Sequence, residues 1–596
     1  MTMGGKRYTS SYIVLSLAIT ALAIISCTSS GIDRNVVTPT RIQAIHTPVV
    51  NSIAAETPTP IPTQIPTPIP LQKIVTSSPS GTDYDIPDGI SGGKLTIASI
   101  VEIPHRDVHQ ETQHALTALG PGIAYSRMLQ LKTGSEIQHP SLTIECDLCD
   151  SWQLNEDFTY EFNIKDNVYW HDVNPMPARR LTAEDIVYSY KRMETVGWPK
   201  ANLFSEKGLS DFEAVSDTVI RISTTFQDSD ALLALADGSS KIVAHEIVSE
   251  YGDLKNAPVV GTGAWIWDNS SSDLESVFRK NPKYYHNDLP FLDELVIKML
   301  PNSSDEDSGW RTQAAALASG QIDIINLGVE EIHHWNVIPQ GFTTYLSDEV
   351  SNGISFAMNI QSEPFKNPSA RKAVLKAIDP WNYIDTMWDG IGESHVGIPS
   401  GTPESVLDSS QIRNQYFANP SEARLIISQL PPESLLDIEI TVAEFNKFHI
   451  ELAQNIATDL ASVGFNVSLR PIHPSHYSEI LVDPVKNYQM IIGTLPPLQT
   501  TNSFLVGVLH SRGTINLSDH RDGTLDLMIE EQISEMDADA RTEKLLSIQE
   551  YILSNGYMFT PITTESYWIH ARDIQNFHPR NTLNEYNHWS KVWRLE

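Results

Sequence analysis

The most restrictive feature of this 596-residue sequence is a strand–helix–strand unit in its C-terminal half. Residues 436–442 form an apolar, strand-like run, and residues 452–460 carry apolar side chains at the spacing of an amphipathic helix. Gly464 follows the helix, and residues 464–469 form a second strand-like run. Two strands joined by a crossover helix pair as parallel neighbours in one sheet. The unit therefore predicts a parallel sheet and an α/β fold.

Composition and charge exclude several classes of protein. Hydrophobic residues make up 41% of the chain and charged residues 19%, which rules out wholesale disorder, a fibre or a multi-span membrane protein. Lys and Arg total 41 against 74 Asp and Glu, so the net charge is −33. Because phosphate contacts need clustered basic side chains, we expect no nucleic-acid partner.

The first 27 residues predict an export signal that ends at an anchoring cysteine. Lys6 and Arg7 precede an uncharged, mostly apolar run over residues 11–26, which is too short for a comfortable membrane span. The run ends Ala-Ile-Ile-Ser-Cys and resembles a bacterial lipobox, which implies a diacylglyceryl group on Cys27. The alternative is an ordinary secretory signal. The expected location is extracytoplasmic, on the cell surface or in the periplasm, with the lipid anchor in the membrane.

Residues 28–91 show no helical or strand periodicity and predict a tether. Six of the 14 residues from 57 to 70 are proline, mostly at alternate positions, which favours an extended polyproline II conformation. At about 3.1 Å per residue, this segment spans roughly 43 Å as a semi-rigid stalk. The globular part is expected to begin near Gly92.

Ordered sequence blocks lie between residues 93 and 379, and the similarity that they mark extends to about residue 590. They are residues 93–98, 151–152, 157–172, 181–192, 261–265, 279–285, 318–324, 359, 364–365 and 370–379. The set resembles family 5 of the bacterial extracellular solute-binding proteins, the peptide/nickel-type receptors of ABC importers. The resemblance implies a periplasmic-binding-protein-like fold of type II (cluster C). In that fold two lobes joined by hinge strands close over a ligand, and an extra domain lies beside the first lobe.

The resemblance also implies a division of the chain. Lobe I is expected to comprise residues 92–135, 261–350 and 575–596, the extra domain residues 136–260, and lobe II residues 351–574. Within these parts, Thr182 and Asp185 form a predicted capping box at a helix start. Gly261 and Gly263 are expected to allow a chain reversal between lobes.

The ligand loop implied by the resemblance lacks one charge. In oligopeptide-binding relatives, an Asp on a loop of the large C-terminal lobe pairs with the α-ammonium of the peptide. In this sequence residues 493–505 occupy that stretch, with Pro497 at the Asp position and no acidic residue in the loop. A buried ammonium without a counter-charge is costly. A peptide and a neutral solute such as an oligosaccharide therefore both remain candidates.

By their positions relative to the family, eight residues from three parts of the chain are predicted to bind the ligand. They are Leu119, Gly120, Trp198, Asn446, His449, Thr494, Leu495 and Phe504.

Other motifs point to structure rather than to catalysis. Cys146 and Cys149 form a Cys-x-x-Cys pair, and outside the cytoplasm a local disulfide is favoured over zinc, which needs two further ligands. His105, His109 and His114 are spaced along one helix face, but Pro104 and the family position favour a loop that enters the cleft over a metal site. The sequence contains no P-loop, and its Gly-x-Ser-x-Gly match at residues 89–93 lies in the glycine turn before the first predicted strand, not in the strand-to-helix turn of a nucleophile. We expect no metal, cofactor or catalytic residue.

Together with the N-terminal segment, the resemblance implies a monomeric, lipid-anchored solute-binding receptor of an ABC importer. Its ligand would be a peptide or another small solute, and its partners the permease and ATPase subunits. Two alternatives keep the same fold: binding of an oligosaccharide, or service as the ligand-binding subunit of a signalling receptor. A third alternative, an extracytoplasmic hydrolase, requires a catalytic constellation that the sequence does not show.

Overall fold

The computed structural model describes residues 88–268, 271–272, 274–300, 308–328, 340–347, 353–431, 436–563 and 566–595. The predicted signal segment, Cys27 and the tether up to residue 87 lie outside these residues. The chain divides into two compact units, residues 1–72 and 73–596, and the fold below is that of the second unit. None of the helices that the structure describes has the length and apolar character needed to cross a membrane.

The described residues form 20 strands and 15 α-helices. The strands are β1 (Lys94–Ser99), β2 (Leu129–Leu131), β3 (Ile144–Cys146), β4 (Cys149–Leu154), β5 (Tyr160–Ile164), β6 (Leu209–Ser216), β7 (Val219–Thr224), β8 (Trp265–Trp267), β9 (Glu275–Lys280), β10 (Glu294–Met299), β11 (Ile324–Gly328), β12 (Phe342–Ser347), β13 (Gly353–Met358), β14 (Asp437–Ala443), β15 (Asn466–Ile472), β16 (Met490–Thr494), β17 (Met558–Thr563), β18 (Ser566–Ala571), β19 (Ile574–Gln575) and β20 (Trp593–Arg594). The α-helices are α1 (His114–Thr117), α2 (Ala183–Met193), α3 (Leu233–Ala236), α4 (His245–Tyr251), α5 (Ser308–Ala318), α6 (Pro368–Ala377), α7 (Pro380–Met387), α8 (Ser409–Tyr416), α9 (Pro420–Ser428), α10 (Lys447–Val463), α11 (Pro474–Val482), α12 (Thr501–Phe504), α13 (Gly523–Ile533), α14 (Ala538–Asn555) and α15 (His588–Lys591).

A seven-stranded mixed sheet has the order β12-β18-β11-β1-β10-β9-β8. Strand β1 pairs in parallel with β10, and the pairs Leu95–Leu295 and Ile97–Ile297 are buried in its core. A four-stranded antiparallel sheet, β4-β5-β7-β6, shares one hydrophobic cluster with it. We call the part built on these two sheets the first lobe. The four-stranded sheet lies within residues 136–260, the range predicted to form an extra domain.

The five-stranded sheet β15-β14-β16-β13-β17 has a hydrophobic cluster of its own, and we call this part the second lobe. Strand β14 pairs in parallel with both β15 and β16, which confirms the parallel sheet predicted from the strand–helix–strand unit. Helix α10 is the crossover, and its buried face includes Leu452, Ile456 and Leu460. The α/β class is therefore correct for both lobes.

Two local predictions have different outcomes. The capping box at α2 is confirmed, because the Thr182 amide donates to the Asp185 carboxylate at 2.9 Å. Gly261 and Gly263 do not have the positive φ typical of a tight reversal. Instead, a Cβ atom at Gly261 would lie 1.9 Å from the carbonyl oxygen of Ala124. These glycines are required by the close approach of two backbone segments inside the first lobe.

Candidate functional site

The candidate site lies at the carboxyl ends of β14 and β16 in the second lobe. Asn446 follows β14 and precedes α10, while Thr494 is the last residue of β16. The two strands are parallel, so these residues lie at the same edge of the sheet. In α/β folds, ligands bind outside the carboxyl ends of the strands.

Three of the residues nominated from the sequence meet here in one hydrogen-bonded cluster. The Asn446 side chain caps α10 by accepting hydrogen bonds from the amides of Phe448, at 3.0 Å, and His449, at 3.3 Å. The same oxygen lies 2.9 Å from Nδ1 of His449. Nε2 of His449 lies 3.0 Å from the hydroxyl oxygen of Thr494. We call these three residues the Asn–His–Thr cluster.

The hydrogen-bond pattern fixes the proton positions in the cluster. The Asn446 oxygen is an acceptor, so Nδ1 of His449 must carry its proton and donate. Burial lowers the pKa of His449 to about 4, so the ring is neutral near pH 7 and Nε2 is an acceptor. The Thr494 hydroxyl then donates to Nε2. Its oxygen, half-buried at the sheet edge, keeps lone pairs that suit an N–H or O–H donor of a ligand.

Two aromatic residues that sequence reasoning missed flank the cluster. The Phe445 ring lies 5.3 Å from the His449 ring and 5.6 Å from the Tyr477 ring, centroid to centroid. Phe445 is 39% exposed and Tyr477 only 1%. A Cβ atom at Gly493 would lie 2.4 Å from the Tyr477 ring, so this glycine makes room for it. The position of Phe445 beside Asn446 was a signal in the sequence, whereas none pointed to Tyr477.

The loop after β16 crosses from the second lobe to the first. The side-chain oxygen of Gln499 accepts a hydrogen bond from the amide of Leu583 at 2.9 Å. The amide of Asn502 donates to the Asp230 carboxylate at 2.7 Å. The carboxyl ends of β14 and β16 therefore face the first lobe. Leu495 and Phe504, both predicted ligand contacts, are buried in the core of the second lobe, and Pro497 is exposed.

The remaining nominated residues lie in the first lobe. Leu119 is half-buried against its core, and Gly120 packs so closely that a Cβ atom would lie 2.4 Å from the carbonyl oxygen of Ala115. The half-buried Trp198 stacks under the Arg192 guanidinium at 4.7 Å. Within the described ranges, no hydrogen bond or ring contact connects these three residues to the Asn–His–Thr cluster.

The other sequence motifs have structural roles. Cys146 and Cys149 are joined by a disulfide. Nε2 of His109 lies 2.8 Å from the carbonyl oxygen of Lys241, and His114 lies 3.1 Å from the side-chain oxygen of Asn584. Among the described residues, no group of three or more His, Cys, Asp or Glu side chains is placed to hold a metal ion.

A surface pocket of about 610 Å³ lies elsewhere on the second lobe. Glu439, Arg470 and Arg521 are among the residues that line it, and none of the nominated ligand-binding residues does. It is therefore separate from the candidate site.

Two α/β lobes that face each other across the carboxyl ends of a sheet define a two-lobed binding protein of the periplasmic type. The sequence model described as bacterial extracellular solute-binding proteins, family 5 Middle, matches residues 143–514. The chain belongs to family 5 of the bacterial extracellular solute-binding proteins, as the resemblance in its sequence blocks predicted.

Individual relatives are distant in sequence. Heme-binding protein A of Haemophilus influenzae is 24% identical over 369 residues, which cover 57% of this chain and 63% of the relative. Di/tripeptide-binding protein 2 of Pseudomonas aeruginosa is 21% identical over 362 residues, with coverages of 57% and 65%. The chain thus spans slightly less than two thirds of the length of these two relatives.

The fold is also that of solved structures. The periplasmic binding protein DppA of Helicobacter pylori, in complex with the peptide STSA, matches with a TM-score of 0.61 and 19% identity. The match covers 85% of this chain and 99% of that protein. At this identity the likeness establishes the two-lobed fold.

Proposed function

We propose that this chain is an extracytoplasmic, lipid-anchored receptor that captures a peptide or another small solute between its lobes and delivers it to an ABC importer. The observation that carries the proposal is the Asn–His–Thr cluster at the carboxyl ends of β14 and β16, opposite the first lobe. Membership of family 5 and the peptide bound to the DppA structure support it.

Capture would proceed by closure of the lobes. A solute that contacts both lobes binds the closed state better than the open one and shifts the equilibrium by that difference in affinity. The permease would recognise the closed, solute-loaded state, and the ATPase subunits would hydrolyse ATP. This chain would act as a monomer and supply recognition alone.

The solute group held at Thr494 would be a hydrogen-bond donor. The Thr494 oxygen offers lone pairs, and the exposed Phe445 ring offers an apolar face beside it. Pro497 provides no counter-charge for an ammonium group. A peptide would therefore be held by neutral acceptors, and an oligosaccharide, whose rings stack on aromatic faces while their hydroxyls donate, is the second candidate.

Anchoring would use the N-terminal segment. Cys27 would carry the lipid and residues 28–91 would hold the lobes away from the membrane. We also propose the domain division predicted above: residues 92–135, 261–350 and 575–596 as lobe I, 136–260 as the extra domain, and 351–574 as lobe II. Radiolabelled fatty acid should label the wild-type chain in cells and should not label Cys27→Ser.

Native mass spectrometry of residues 28–596, before and after mild denaturation and refolding, tests the binding function. Released masses that match peptides or hexose multiples would support it and identify the solute class. Thr494→Val should then weaken rebinding about tenfold, because one hydrogen bond in a dry site contributes roughly 1.4 kcal/mol.

Thr458→Val is the matched control, because the Thr458 hydroxyl is bonded to the carbonyl of Gln454 on the exposed side of α10. It should bind as the wild type does. The binding proposal is wrong if no solute is released and none from a panel of peptides and oligosaccharides raises the melting temperature.

A further inference from the structure

We propose that a charged clasp between the lobes keeps this protein closed even without a solute. The interlobe clasp consists of Asp228 and Asp230 from the first lobe and Asn502, Gln532 and Arg541 from the second. The proposal rests on the proposed solute-binding function only for the biological meaning of closure.

Hydrogen bonds between distant parts of the chain form the clasp. The Asp230 carboxylate accepts from the Asn502 amide at 2.7 Å and, through its other oxygen, from the Arg541 guanidinium at 2.7 Å. The Asp228 carboxylate accepts from the Asn502 side-chain amide at 2.6 Å. Between these two carboxylates, the Ser229 amide donates to the carbonyl of Ile533 at 2.8 Å. The segment 228–230 is thus bonded to three separate elements of the second lobe.

Burial makes these bonds strong and costly to break. Asp230 and Asn502 are each 2% exposed and Asp228 is 6% exposed. Charge-assisted hydrogen bonds are the stronger class, and salt screens buried pairs much less than exposed ones. A carboxylate left unpaired in such a place would carry a large desolvation penalty. Opening of the lobes must therefore rehydrate both carboxylates at once.

The second-lobe side of the clasp is held in position before closure. The Gln532 side chain donates to the Asn502 side-chain oxygen at 2.8 Å, and Arg541 donates to the same oxygen at 3.1 Å. These bonds leave the Asn502 amide hydrogens directed at the first lobe. A preorganised partner loses little conformational entropy when the clasp forms.

Charge balance also favours the closed state. On the first lobe, the ammonium of Lys207 lies 3.7 Å from Asp228 and 4.0 Å from Asp230, so it offsets one of the two negative charges. Arg541 from the second lobe supplies the second positive charge. When the lobes separate, two neighbouring carboxylates share a single lysine. Closure relieves that repulsion.

The clasp shares no residue with the Asn–His–Thr cluster, so it stabilises closure independently of the solute. A protein that is already closed spends less binding free energy on the conformational change, and its apparent affinity rises with the closed fraction. Solute exchange would then require the clasp to open transiently.

Small-angle X-ray scattering of solute-free protein tests the clasp. Residues 28–596 are stripped of solute by unfolding and refolding, and their scattering is compared with that of Arg541→Met and Asp230→Asn. The wild type should scatter as the closed structure does, and both variants should show a larger radius of gyration. Lys544→Met is the matched control, because Lys544 lies one turn further along α14 and pairs with Glu535 inside the second lobe at 2.8 Å. It should scatter as the wild type does.

Three outcomes would overturn the clasp. The first is that the solute-free wild type is open, and the second is that Arg541→Met and Asp230→Asn keep native circular dichroism and scatter as the wild type does. The third is that Lys544→Met expands as much as these two variants. The first outcome needs no variant, so the test survives if a variant misfolds. Scattering requires no ligand, so the two proposals fail separately. Failure to find a solute refutes the binding function, whereas bound solute with unchanged Arg541→Met scattering refutes the clasp alone.

Discussion

Replacement of Glu585 by Gln should destabilise the first lobe severely. Glu585 and Arg127 form an ion pair at 2.5 Å, and both side chains are completely buried. The Glu585 carboxylate also accepts hydrogen bonds from the amides of Leu131, Tyr586 and Asn587, each at 2.8 Å. This pair connects the C-terminal segment to the chain before β2. Glu585→Gln preserves the side-chain shape and removes the charge that Arg127 requires.

Two estimates of the cost agree. Removal of one partner from a buried ion pair costs about 3–5 kcal/mol, because the other charge stays buried and uncompensated. Burial by itself would raise the pKa of Glu585, but the charge of Arg127 and the backbone amides lower it from 4.5 to about 2. At about 1.4 kcal/mol per tenfold change in proton affinity, this lowering corresponds to about 3 kcal/mol. The stabilisation is complete above pH 4.5 and is lost as the pH falls towards 2.

Differential scanning calorimetry at pH 7 measures the effect. A loss of about 3 kcal/mol should lower the melting temperature of the first lobe by roughly 6 °C or more. The control is Glu363→Gln, whose partner Lys366 lies 3.5 Å away with both side chains about half exposed. An exposed pair of this kind contributes about 0–1 kcal/mol. If Glu585→Gln melts within 1 °C of Glu363→Gln, the reasoning about the buried pair is wrong.

Three further predictions concern the first lobe. Burial lowers the pKa of His109 to about 3 and that of His171 to about 4, so the unfolded chain takes up protons first. The melting temperature should therefore fall as the pH drops from 6.5 towards 4. A melting temperature that stays constant over this range would contradict the prediction. Gly261→Ala places a methyl group 1.9 Å from a carbonyl oxygen and should prevent stable folding, whereas Gly523→Ala, with no atom within 4 Å, should leave the melting temperature nearly unchanged. Lys241→Met should melt at or above the wild-type temperature. The side-chain nitrogen of Lys241 is completely buried without a hydrogen-bond partner, and burial lowers its pKa. A drop of several degrees would show instead that the contact of this nitrogen with the Tyr586 ring, 3.1 Å from the centroid, dominates.

Short-range patterns in the sequence determine the class of this fold. The apolar periodicity of residues 436–469 was enough for a parallel sheet, because strand and helix periods depend on neighbours a few residues apart. The capping box at Thr182 was predicted for the same reason, since its two hydrogen-bonding residues are three positions apart. The ordered family blocks then supplied the two-lobed arrangement.

The candidate site was only partly predictable. Family position nominated Asn446, His449 and Thr494, but no pattern in the sequence showed that they bond to one another. His449 and Thr494 are 45 residues apart, and they meet because β14 and β16 are neighbours in the sheet. The proton position on the His449 ring, and with it the role of the Thr494 oxygen as an acceptor for a ligand, follows only from this tertiary contact.

The interlobe clasp depended entirely on the tertiary structure. Asp230 and Arg541 are 311 residues apart. In the sequence, neither residue can be distinguished from an ordinary charged residue on the surface. Sequence patterns record the periodicity of single elements, whereas charge pairing across lobes depends on where those elements are packed. The sequence thus determined the kinds of element and the family, and the packing of the two lobes decided which distant residues share a hydrogen bond.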